Sequence, residues 1–206
     1  SGPDDLDEVD AMRAAADAIL VGAGTVRADN PRLLVRDPAR IAAREAAGKP
    51  PQPLRVTVTG TGDLDPAARF FTGPGAALVY CGSAAAAGRK FKDRAVVIDA
   101  GADLSLAAVL QDLHLERAVA TVLIEGGARI LRDALAGGLA DELRLAIAPF
   151  FVGDPAAPRF ALPARYPNTA ANPMTLTSLR QVGTVAVHHY RLTPDPAPRP
   201  TRPQSA

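Results

Sequence analysis

Short apolar runs alternate along this chain with stretches in which apolar residues recur every three or four positions. Residues 3 to 16 have the second pattern, with Leu6, Val9 and Met12 at helical spacing. Pro3 suits a first helical turn, and Asp4, Asp5, Asp7 and Glu8 put negative charge where the helix dipole favours it. Ala18–Val21 then reads as a buried strand, and residues 37 to 53 as an Ala/Arg segment followed by a proline-rich connection. Arg55–Thr59 alternates as a strand and ends in Gly60-Thr61-Gly62. Ala76–Cys81 and Ala95–Ile98 read as further buried strands. Ser105 is placed to cap a helix whose apolar face is Leu106, Val109, Leu110 and Leu113. A strand over Ala118–Ile124 leads through Glu125-Gly126-Gly127 into a helix over Ala128–Leu135, closed by Gly137-Gly138. The remainder is β-rich, over Glu142–Phe151, Met174–Val182 and Thr184–Leu192.

Strands alternating with helices as far as residue 135 predict an α/β fold. Its central sheet is expected to be mainly parallel with helices on both faces, and the β-rich end to add antiparallel edge strands. Residues 1–192 are expected to form one domain, and 193–206, with five prolines, a disordered Pro-rich tail. In open α/β sheets ligands bind beyond the carboxyl ends of the strands. The segments Gly22–Leu33 and Glu125–Ala128 both leave strands from that end, so they are expected to face one crevice.

Composition narrows the classes. A chain of 206 residues is within the size of a single core. Its net charge of +1 lacks the basic footprint of a nucleic-acid binder. No apolar run approaches the ~20 residues of a membrane span, and no signal peptide is present, so the expected location is cytoplasmic. Cys81 is the single cysteine, which rules out a disulfide within the chain and fits a buried thiol in a reducing compartment. Positive charge is nearly all Arg, with Lys only at 49, 90 and 92. Arg is the better fork for phosphate and carboxylate.

Two stretches carry more chemistry than their turns require. In "LVGAGTVRADNPRL" a strand runs into small residues, then Thr25, Arg27, Asp29 and Arg32, with Arg36 just beyond and Arg13 on the preceding helix. Several Arg near one crevice suit an anionic small ligand, although any one of them alone reads as a solvated surface residue. Asp29 can cap the turn before Asn30-Pro31 or meet a ligand hydroxyl. In "VLIEGGARIL" two glycines free the backbone between a strand and a helix N-terminus. That arrangement is either a tight turn or an anion site. The dinucleotide fingerprint Gly-x-Gly-x-x-Gly is absent. His114, His188 and His189 have no metal-ligand spacing, and no nucleophile elbow or Walker loop occurs.

The stretches "ADAILVGAGTVRADNPRLLVR" and "VLIEGGARILRDALAGGLADELRLAIAPFFVGD" together resemble the pyrimidine reductase of bacterial riboflavin biosynthesis, a family with a dihydrofolate-reductase-like fold. The resemblance reaches to about Leu192. It implies an NADPH-dependent oxidoreductase that reduces the ribosyl group of a 5-phosphoribosylamino-pyrimidine to a ribityl chain. Carried over by motif, Thr25 and Asp29 contact the nicotinamide cofactor. Gly126, Gly127 and the helix start at Ala128, Arg129, Ile130 and Leu131 hold its phosphates through backbone N–H groups. Arg13, Leu33, Arg36 and Glu125 contact the phosphorylated pyrimidine.

Asp29 and Glu125 are the two carboxylates in the motifs able to assist proton transfer as the sugar opens, and their roles stay open. Thr59-Gly60-Thr61 ends its strand without an immediate carboxylate, so Thr59 or Thr61 is expected near the cofactor's 2′-phosphate, which favours NADPH over NADH. The resemblance also implies a homodimer built on the late strands. Another pyrimidine or pteridine as substrate, or a non-catalytic NADP-binding module of the same fold, is the alternative reading. Family members open with a strand ending in a Ser-x-Asp-Gly-like turn that adds to the pocket. Here Ser1-Gly2-Pro3 resembles the family's first helix start, so that strand is expected either to precede this sequence or to have been lost in this member; the deaminase domain that some members carry is likewise not in this sequence.

Overall fold

The computed structural model describes residues 3–82, 90–91, 93–101 and 103–192; the expected tail over 193–206 lies outside them. Five strands form the central sheet: β1 (Ala18–Gly22), β2 (Leu54–Thr59), β3 (Ala77–Cys81), β4 (Val96–Asp99) and β5 (Val122–Gly126). Their order is β4-β3-β2-β1-β5, and every neighbouring pair is parallel. All five residues of β1 are buried because it lies inside the sheet and is covered on both sides. Alternation splits its side chains: Ile19 and Val21 enter one apolar cluster, Ala18 and Leu20 the other.

Helices cover both faces, as expected. On the Ile19 side, α2 (Ala23–Asp29) contributes Ala23 and Val26, and α4 (Arg69–Thr72) contributes Phe70 and Phe71; α3 (Pro38–Ala46) is instead tied to the chain before β1, its Arg44 donating to the Ala14 and Ala16 carbonyls. The opposite cluster takes Leu106, Val109 and Leu113 from α5 (Leu106–Leu115), and Ile130 and Ala134 from α6 (Ala128–Ala136). Ser105 caps α5 as its sequence position predicts, accepting from the Ala108 N–H at 3.1 Å. Among the described residues no helix is long and apolar enough to cross a membrane.

The late strands are antiparallel, as expected: β6 (Glu142–Ile147), β7 (Thr175–Val182) and β8 (Val185–Arg191) form an edge sheet of their own, in the order β6-β8-β7. Among the described residues no ladder joins β5 to β6. Ion pairs from α1 (Pro3–Ala15) link the two sheets instead. Arg13 reaches Glu125 of β5, while Asp5 and Glu8 reach Arg144 of β6 at 2.9 and 2.7 Å. Glu8 also meets Arg180 of β7 at 2.9 Å.

The register of the small sheet separates its faces. Arg144, His189 and Ser178 lie in one row on the α1 side. On the other face Ile147, Leu176 and Leu179 are about half exposed, at 50%, 49% and 59%. Phe150, Phe151 and Val152 follow β6 and are more exposed still.

Candidate functional site

β1 and β5 are neighbours and run the same way, so their carboxyl ends lie side by side. A register shift after Leu20 sets Val21 opposite Gly126. This brings the two chemistry-bearing segments together, as the sequence predicts. Gly127, at φ 94°, occupies a conformation that favours glycine. A Cβ there would lie 3.3 Å from the Gly22 nitrogen and 3.3 Å from Thr25 Oγ1. A Cβ on Gly22 would come within 3.1 Å of Ile130 Cγ1. The glycines therefore let two backbones and the Thr25 hydroxyl converge, and beside them a Cβ on Gly24 would meet only open space.

Gly127 is the N-cap of α6 and has no side chain to cap it. The Leu131 N–H already donates to the Gly127 carbonyl at 3.0 Å. The donors of Ala128, Arg129 and Ile130, in the turn before it, carry the positive end of the helix dipole toward the crevice. Ile130 is buried with its side chain in the core, so its backbone alone faces this role, whereas the Arg129 side chain is exposed.

The segment Gly22–Leu33 is not the plain loop its polarity predicts. Ala23–Asp29 forms α2, because Ala23 and Val26 find buried places against the sheet. Asp29 ends that helix exposed. The turn is closed by Asn30 in its place, at φ 44° in the left-handed region that Asn tolerates, with its N–H on the Val26 carbonyl. Asn30 Oδ1 accepts from the Arg69 N–H at 2.7 Å, and Arg27 Nη1 donates to the Asp63 carbonyl at 2.9 Å. These bonds fasten α2 to the segment after β2, so Arg27 is a brace to its own chain. Thr59 is buried, and its Oγ1 accepts from the Gly62 N–H at 3.1 Å. Thr61 is exposed on the same turn, its Oγ1 accepting from the Asp63 N–H at 3.4 Å.

On the other side of Gly126 the fork of Arg13 grips Glu125 through two bonds, Nε to Oε1 at 2.6 Å and Nη2 to Oε2 at 2.7 Å. Arg13 Nη1 also donates to the Leu34 carbonyl at 3.2 Å. Leu33 is buried at φ 53°, an uncommon conformation for a residue with a Cβ. Arg36 is exposed. Arg13, Glu125 and the Leu33–Arg36 segment thus form one wall, and Thr25, Gly127 and the start of α6 form the adjoining one. Sequence reasoning missed Asn30, Asp10 and Gln52 as parts of this frame. The Asn30-Pro31 dipeptide was a usable signal for the first, and the other two had none.

The reductase from Archaeoglobus fulgidus named 2,5-diamino-6-ribosylamino-4(3H)-pyrimidinone 5′-phosphate reductase is 36% identical over 153 residues, which are 73% of this chain and 69% of that protein. The riboflavin biosynthesis protein RibD of Mycobacterium tuberculosis is 33% identical over 69% of this chain and 33% of its own length. In structure, RibD from Acinetobacter baumannii superposes with a TM-score of 0.77 at 25% identity over 94% of this chain. The chain spans about half of that protein, 51% of its length. A pyrimidine reductase-like protein from Corynebacterium diphtheriae has the same fold, with a TM-score of 0.77 at 23% identity over 95% of this chain and 83% of that one. A family model described as the RibD C-terminal domain matches residues 1–188, and the chain belongs to that family.

Proposed function

We propose that this protein is an NADPH-dependent reductase that converts the ribosyl group of a 5-phosphoribosylamino-pyrimidine to a ribityl chain in riboflavin biosynthesis. Residues 1–192 act as one reductase domain, in the cytoplasm. The observation that carries the reading is the junction of two strand ends, where Gly22 and Thr25 abut Gly127 beside the Arg13–Glu125 pair. The cradle fits a nicotinamide dinucleotide, because an uncapped helix start faces it and the Cβ positions of Gly24 and Gly126 meet only open space. Thr25 and Asp29 hold the nicotinamide end, and Gly126, Gly127 and the N–H groups opening α6 hold the phosphates. Thr59 and Thr61 line the turn assigned to the 2′-phosphate. When bound, the cofactor supplies the hydride.

The protein's own task is orientation and charge. Arg36, exposed beside the crevice, meets the substrate phosphate. Both Glu125 oxygens accept from Arg13, so this carboxylate fixes the fork and reaches the substrate through its remaining lone pairs. Asp29 lies exposed at the end of α2, four residues after Thr25. The exposed apolar face of the β6-β8-β7 sheet is the surface of a homodimer.

One observation favours a second reading, an NADP-binding module of the same fold without turnover. Arg13 and Glu125, two of the residues assigned to the substrate, already bond to each other through both carboxylate oxygens. Loss of nicotinamide absorbance on adding the phosphorylated pyrimidine to protein and NADPH separates the two. Binding of NADPH with no oxidation of it leaves only the module. Within the reductase reading, Arg36→Ala deletes a charge-assisted bond worth about 1.5–3 kcal/mol. It should raise the substrate KM roughly tenfold to a hundredfold and leave NADPH affinity unchanged.

A further inference from the structure

We infer that Asp10 and Gln52 are positioning residues for the substrate wall, setting the backbone of residues 33–37 and so aiming Arg36. The inference rests on the reading that Arg36 faces the substrate; the Leu33 side chain is packed in the core, so only its backbone can border that wall. The segment after Pro31 belongs to no helix or strand, yet it is not loosely solvated. Leu33 and Val35 are buried at 2% and 3% exposure, whereas Arg36 is exposed. Its backbone groups are satisfied by side chains from elsewhere in the fold. Gln52 does for Val35 what a neighbouring strand would do: its Oε1 accepts from the Val35 N–H at 2.8 Å, and its Nε2 donates to the Val35 carbonyl at 3.0 Å. Asp10 Oδ1 accepts from the Arg36 N–H at 2.7 Å, and Oδ2 from the Asp37 N–H at 3.2 Å. Together with the bond from Arg13 to the Leu34 carbonyl, these contacts determine the path of the chain from Leu34 to Asp37.

Two further observations connect this framework to the site. Leu33 holds φ 53°, and a side-chain-bearing residue stays there only where its surroundings over-determine it. The charges are also arranged so that Arg36 is left available. Arg40 is bonded to Asp7 at 2.7 Å and to Asp10 at 3.1 Å, and lies 3.8 Å from Asp37. Among the described residues Arg36 has no carboxylate partner, although Asp10 binds its backbone N–H. Asp10 therefore fixes where Arg36 stands without capturing its guanidinium. Asp10 lies one helical turn before Arg13 on α1, so one helix face serves both the backbone and the Glu125 fork.

The test compares Asp10→Asn, Gln52→Glu and Arg36→Ala in the whole chain, measuring Kd and KM for the phosphorylated pyrimidine, kcat, NADPH affinity and thermal unfolding. Asp10→Asn and Gln52→Glu are near-isosteric, so neither opens a cavity. Each should raise Kd and KM for the pyrimidine about tenfold, the scale of a displaced binding group, with kcat within about twofold and NADPH affinity unchanged. Gln52→Glu adds a signature that a purely structural role would lack. Its carboxylate repels the Val35 carbonyl, but its protonated form can donate to that oxygen as the amide does. Burial raises the pKa of the introduced carboxyl, so the KM ratio to the parent should fall as the pH is lowered. If Gln52→Glu does not fold, Gln52→Met removes both bonds at the same length and carries the same expected KM and Kd.

Unchanged Kd and KM in the Asp10 and Gln52 variants, beside a raised value in Arg36→Ala, overturns the positioning inference alone. An equal loss of NADPH affinity overturns it too, because the segment would then serve the other ligand. A flat result for Arg36→Ala overturns the substrate reading itself, and this inference with it.

Discussion

Arg13 and Glu125 stand 112 positions apart in sequence and form one unit in the fold. Their side chains are only 13% and 16% exposed, so neither is screened like a surface pair. Removing one partner strands the other, and much of the cost is then the unpaired charge. Arg13→Ala should therefore destabilise the protein as well as weaken substrate use, whereas Arg36→Ala, at an exposed position, should change stability by less than about 0.5 kcal/mol. A double-mutant cycle over Arg13→Ala and Glu125→Ala, read by denaturant midpoints, should give a coupling of about 1–3 kcal/mol. Additive losses would reduce the pair to an accident of proximity. Asn30 shows the same economy of residue type at lower stakes: one side chain that tolerates the left-handed region both ends α2 and holds Arg69.

At the scale of elements, polar side chains do the joining that ladders leave undone. Arg55 on β2 is buried without a carboxylate beside it, and it donates to the carbonyls of Phe70, Gly73 and Gly75. That ties the segment after α4 beneath the sheet. Asp17, at the start of β1, accepts from Lys49 at 2.8 Å and from the N–H groups of Ala120 and Thr121, each at 3.0 Å. Burial pushes its carboxyl up, but the Lys49 ammonium and these N–H donors outweigh burial and hold its pKa below the ordinary value. A carboxyl depressed in the folded state stabilises it above the unfolded pKa, near ~3.9 for Asp, and that contribution is lost as the pH falls through the folded value. Asp17→Asn should thus weaken the fold at neutral pH, and its deficit against the parent should shrink below about pH 4. Urea midpoints across that range decide it, and a deficit constant with pH would contradict it.

At the scale of the molecule, the small sheet faces two ways. One face, with Arg144 and Arg180, meets the acids of α1; the other leaves Ile147, Leu176 and Leu179 half exposed, and Phe150 and Phe151 follow β6. A contiguous apolar face of this kind marks an association surface. The parent should have a dimer's mass in light scattering, and Leu176→Glu with Leu179→Glu should have a monomer's. A monomeric parent at every concentration would remove the homodimer.

Local pattern was enough for whatever depends on near neighbours. Ala18–Gly22 and Ala77–Cys81 are strands because apolar β-formers run together there. Ser105 caps its helix because the N–H it serves is three residues away. Gly127 announces a close approach because nothing else tolerates φ 94° there. Parallel pairing of two such strands then brings Gly22 and Gly127 together. What pattern could not convey was every partnership between distant groups. Seven residues from Ala23 coil into α2 because the sheet buries Ala23 and Val26, not because Gly24 and Thr25 favour a helix. The late strands' alternation specifies their faces but not which edge they pair with, so a separate sheet was invisible to it. Asp10 and Gln52 have no periodicity to betray them, since each serves backbone groups whose identity the side-chain pattern does not encode. Those bonds exist only once the chain has brought α1, residue 52 and the segment after Pro31 together, and it is there that the substrate wall acquires its shape.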